Sequence, residues 1–78
     1  MPRLPVLPAK DILRLLIKYG CVLDSARGSH FKVRNLSNNK TTVIPIHGKK
    51  DLDKGFLADI LSQLGIDVEE FLEFMQSA

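Results

Sequence analysis

An α+β fold, with one helix, a three-stranded antiparallel sheet and then two helices packed on one sheet face, follows from how the hydrophobic period changes along the chain. Ile12, Leu15, Leu16 and Tyr19 repeat at helical spacing, residues 21–46 alternate in twos around turn residues, and from Leu57 onward the helical period returns. At 78 residues the chain is expected to form a single domain, 1–78, with a thin core.

Each element has a local cause. Pro2 and Pro5 set an extended lead-in. Pro8 fits a first helical turn and Gly20 a left-handed cap, so the first helix is expected over Pro8 to Tyr19. Cys21 to Ser25 reads as a strand, Ala26 to Ser29 as a turn and His30 to Asn35 as the hairpin partner. Ser37, Asn38 and Asn39 mark a second turn, and the β-branched run Thr41 to Ile46 a third strand. In that strand Thr42, Ile44 and Ile46 share one face; Thr41, Val43, Pro45 and His47 share the other. His47 to Asp53 reads as a polar loop. Asp53 is then placed to cap a helix whose stripe is Leu57, Ile60, Leu61 and Leu64, and Gly65 should end it. Asp67 and Glu70 have capping-box spacing, and Val68, Phe71, Leu72 and Met75 form the face of a last helix.

Charge is distributed unevenly. The net formal charge is only +2, but residues 1–50 hold ten of the 11 Lys and Arg with two acids, whereas residues 51–78 hold Lys54 against seven acids. A basic front and an acidic tail suit a polyanion held on one side, although plain solvated faces compete with that reading. Cys21 is the only cysteine, so no internal disulfide can form; its setting beside Val22 and Leu23 favours a buried apolar role. No apolar run reaches membrane-span length and the start lacks a signal-peptide core, so a cytoplasmic location and no membrane are expected.

The segment from Arg27 to Arg34 carries the chemistry. In an extended strand His30, Lys32 and Arg34 project together while Phe31 and Val33 point into the core. Histidine is the side chain whose unperturbed pKa lies near neutrality, and one beside two fixed cations suits acid/base work on a phosphodiester. His30 can take the proton of a ribose 2′-hydroxyl, with Lys32 and Arg34 stabilising the phosphorane, and that route needs no metal. Arg27 adds a cation to the same surface. Gly28 can adopt positive φ and, without Cβ, lets a phosphate come close; Ser29 can bond that phosphate or orient the ring. For both, and for a lone strand histidine, a purely structural role is the competing reading. His47 can reach substrate or protonate the leaving group, or simply sit in a surface loop. Lys49 and Lys50 suit non-specific phosphate contacts. Two histidines and one cysteine far apart lack zinc spacing, so no metal and no cofactor are expected.

Gly28-Ser29-His30, then Pro45-x-His47, then Leu52, Gly55, Leu57 and Ile60 in order resemble the HicA toxin family, from the first helix to Ile66. The resemblance implies a fold like that of double-stranded-RNA-binding domains. It implies a type II toxin that cleaves messenger RNA as an endoribonuclease and arrests translation, with His30 as catalytic residue and a HicB-type antitoxin as partner. The free toxin is expected to be a monomer. The rival class is a non-catalytic module of the same fold that binds RNA or protein.

Overall fold

The computed structural model describes residues 4–46, 51–52 and 54–77. Its order is β1 (Leu7–Pro8), α1 (Ala9–Tyr19), β2 (Cys21–Arg27), β3 (His30–Asn35), β4 (Thr41–Pro45), β5 (Asp51–Leu52), α2 (Lys54–Gln63) and α3 (Val68–Ser77). Strands β2, β3 and β4 form an antiparallel meander with β3 in the centre, and the helices lie over one of its faces. This is the predicted α+β arrangement. No helix among the described residues is long and apolar enough to cross a membrane.

The core joins the two layers. Ala9, Ile12 and Leu16 of α1, Leu57, Ile60 and Leu61 of α2, and Phe71 of α3 are buried over Cys21, Val33 and Ile44 of the sheet. Tyr19, Phe71 and Phe74 pack edge-on or tilted with ring centroids 5.2 to 5.9 Å apart, fastening α3 to the end of α1. Cys21 is 2% exposed, and burial pushes its thiol pKa up, as its apolar setting implied.

Helix ends are closed by local chemistry. Gly65, at φ +68°, ends α2 in a Schellman arrangement: its N–H donates to the Ser62 carbonyl at 3.1 Å and that of Ile66 to Leu61 at 2.9 Å. Asp67 caps α3, accepting the Glu70 N–H through its carboxylate at 3.1 Å. The Glu70 carboxylate accepts a bond from the Tyr19 hydroxyl at 3.4 Å, so the capping-box acid ties two helices together.

Several boundaries differ from the sequence expectation. Pro8 precedes the first helix as its N-cap, with extended ψ of 143°, because Leu7 and Pro8 pair with Leu52 and Asp51 in a small second sheet. The segment expected to be a polar loop therefore contains β5. Strand β2 runs two residues further than expected, to Arg27, which shrinks the turn to Gly28 and Ser29. The asparagine cluster does more than turn the chain. Asn35 is buried, and its amide and that of Asn38 donate to the Leu64 carbonyl at 2.8 and 3.0 Å, latching the β3–β4 loop onto the end of α2. The expected Asp53 cap lies outside the described residues.

Candidate functional site

Register decides which side chains share the sheet face opposite the helices. Facing residues in an antiparallel ladder project to the same side. Three rows result: Arg27, His30 and Pro45; Ser25, Lys32 and Val43; Val22, Arg34 and Thr41. Phe31, Val33 and Asn35 alternate with them and face the helices, half-buried or buried. His30, Lys32 and Arg27 are exposed, as the alternation predicts. Successive rows are about 7 Å apart along a strand and neighbours within a row about 5 Å apart, so His30, Arg27 and Lys32 are rooted within a patch about the size of one nucleotide.

The turn that carries His30 is built by two residues. Gly28 has φ +56° and Ser29 a negative φ, the sign pattern of a type II′ turn, which demands glycine first. A Cβ on Gly28 would meet open space, so the requirement is conformational and the backbone there is open to solvent. The Ser29 carbonyl accepts the Ile46 N–H at 2.7 Å, tying the turn to the end of β4. Pro45 faces His30 on β4, an edge strand, where its missing donor costs little. His30 is thus held between two strands at one end of the sheet.

Arg34 lies on the expected face and is engaged there by neighbouring side chains. Its Nε donates to both Asp24 oxygens, at 3.1 and 3.2 Å, and one terminal nitrogen donates to Asn39 Oδ1 at 3.2 Å. It lies on the predicted face but in the row furthest from His30. Two residues on this face were not singled out in the sequence. Val43, 47% exposed, lies opposite Lys32, and the alternation of β4 already placed it outward. Asp24 is the extra residue of a bulge between Leu23 and Ser25, which alternation alone does not reveal. His47, Lys49 and Lys50 lie outside the described residues.

A family model described as HicA toxin of bacterial toxin-antitoxin matches residues 9–66, from the start of α1 to the residue after Gly65. The chain belongs to the HicA toxin family. It is also similar to a protein of Pseudomonas fluorescens (strain Pf0-1) named "Probable mRNA interferase HicA", 42% identical over 56 residues, which are 72% of this chain and 90% of that one. The HicA match includes all three strands of the main sheet and the Gly28-Ser29-His30 turn; α3 lies beyond it.

Proposed function

We propose that this HicA-family chain is a metal-independent endoribonuclease that cleaves messenger RNA and arrests translation, with His30 as its general acid/base. The observation that carries the reading is an exposed imidazole held on the open sheet face, in one patch with the exposed cations Arg27 and Lys32. The name of the Pseudomonas relative supports the substrate class.

The chemistry follows from those groups. His30 removes the proton of a ribose 2′-hydroxyl. The 2′-oxygen attacks the adjacent phosphorus, the bond to the 5′-oxygen breaks, and that oxygen leaves with a proton from a second donor such as His47 or water. Products are a 2′,3′-cyclic phosphate and a 5′-hydroxyl. Arg27 and Lys32 stabilise the charge that builds on the phosphorane oxygens, and the open backbone at Gly28 and the Ser29 hydroxyl offer donors to the same phosphate. Val43 gives a base or ribose an apolar surface beside Lys32. Lys49 is assigned a non-specific contact to a neighbouring phosphate. A HicB-type antitoxin covering this face would neutralise it, and the setting is the cytoplasm.

The test is incubation of purified protein with RNA in EDTA, with end-group analysis. Fragments ending in 5′-hydroxyl and 2′,3′-cyclic phosphate are expected. A stable complex without fragments would instead make the chain a binding module.

A further inference from the structure

We infer that the Asp24–Arg34 ion pair is a positioning device: it holds the β2 bulge that sets Arg27 beside His30 on the open face. The inference rests on the reading of Arg27 and His30 as RNA-facing groups, while its structural half stands without it.

Along an unbroken strand, outward Val22 would bring Asp24 and Ala26 outward and turn Arg27 toward the helices. The ladder resets this by one residue. Leu23 faces Val33, the next pair is Ser25 with Lys32, and Asp24 is left over between them. Beyond the bulge Ala26 faces Phe31 and Arg27 faces His30, so the two-residue Gly28-Ser29 turn can close.

A competing register exists one residue away. Without the bulge Asp24 would face Lys32, Ala26 would face His30, and Arg27 would fall into a three-residue turn. That register would lose the arginine from the row of His30 and set a carboxylate in the middle of the cationic patch. Arg34 opposes the slip. Its guanidinium binds both oxygens of the bulged Asp24 and also Asn39 in the β3–β4 loop, bridging β2 to that loop. The two side chains are 35% and 28% exposed, so solvent screens the pair only in part. Arg34 thus acts through Asp24 and Arg27, where the sequence alone suggested a direct contact to RNA.

The test is a charge-removing double-mutant cycle on the full chain: Asp24→Asn, Arg34→Gln and the double variant. It reads kcat and KM on a short RNA, and the NMR contacts that report Arg27–His30 and Ala26–Phe31 pairing. Each single change should raise KM about fivefold with kcat within about twofold, and the double variant should add nothing further. The cross-strand contacts should weaken in all three. Multiplying effects would make Arg34 a direct RNA contact, and a lowered KM for Asp24→Asn would make the acid a competitor of RNA; either overturns the inference, as do unchanged cross-strand contacts. Should the parent protein cleave no RNA, the NMR contacts still decide this point, and only the proposed function fails.

Discussion

Arg27 and His30 form the last cross-strand pair of the β2–β3 ladder, with only Gly28 and Ser29 between them. The two backbones thereby stand one strand spacing apart, and both side chains start from the exposed face opposite the helices. Arg27→Ala should weaken binding of a 2′-deoxy RNA that cannot be cleaved and lower the slope of log affinity against log salt by about 1. Thermal stability should change by less than about 0.5 kcal/mol, because the side chain is exposed. Lys32→Ala should behave alike. Salt titration of binding measures both.

Gly65 should tolerate no side chain. Its φ of +68° penalises any L-residue, and a Cβ there would stand 2.6 Å from Asn38 Nδ2 and 3.1 Å from Lys40 Cδ. The Asn38 amide cannot move away without giving up the Leu64 carbonyl. Gly65→Ala should therefore cost about 1–3 kcal/mol and lower Tm by at least about 4 °C, readable by circular dichroism.

Phe71 makes the last helix part of the folding unit. It is fully buried, with Tyr19 and Phe74 against it, although α3 lies beyond the family match. Phe71→Ala should cost about 3–5 kcal/mol, a large share of a small protein's stability. Ending the chain after Ile66 should abolish cooperative thermal unfolding. A truncated chain that melts as sharply as the parent would contradict this.

Alkaline pH should destabilise the fold. Burial, followed by the charge and hydrogen bond of Glu70, raises the Tyr19 pKa from its ordinary 10.0, and burial raises that of Cys21 from 9.0. Both groups are held neutral in the folded state. Their contribution is therefore complete below the ordinary values and is lost as pH rises through the raised ones. Tm should fall from about pH 9 upward, and less steeply in Tyr19→Phe and Cys21→Ala, as a melting series across alkaline pH would report.

Strong periodicity made much of this molecule readable from its residues. The stripe Leu57, Ile60, Leu61 and Leu64 is buried as expected, and the alternation of β3 separated His30 and Lys32 from Val33. Features that depend on long-range partners were not readable. Strand β1 exists because Leu7 and Pro8 meet Leu52 and Asp51 far along the chain. Phe74 joins the aromatic cluster only because Tyr19 is carried there by another helix. The bulge at Asp24 breaks the alternation that would be used to find it, and so the engagement of Arg34 was hidden as well.

In the proposed reaction one exposed imidazole does the proton transfer while its neighbours bind. Cleavage of a labelled RNA by His30→Ala, set beside its binding of the same RNA and its melting curve, tests this most directly. Cleavage should fall by at least about a hundredfold, with binding within about threefold and Tm nearly unchanged, since His30 is exposed and its loss leaves no cavity. A folded His30→Ala protein that cleaves RNA at close to the parent rate would contradict that role for His30.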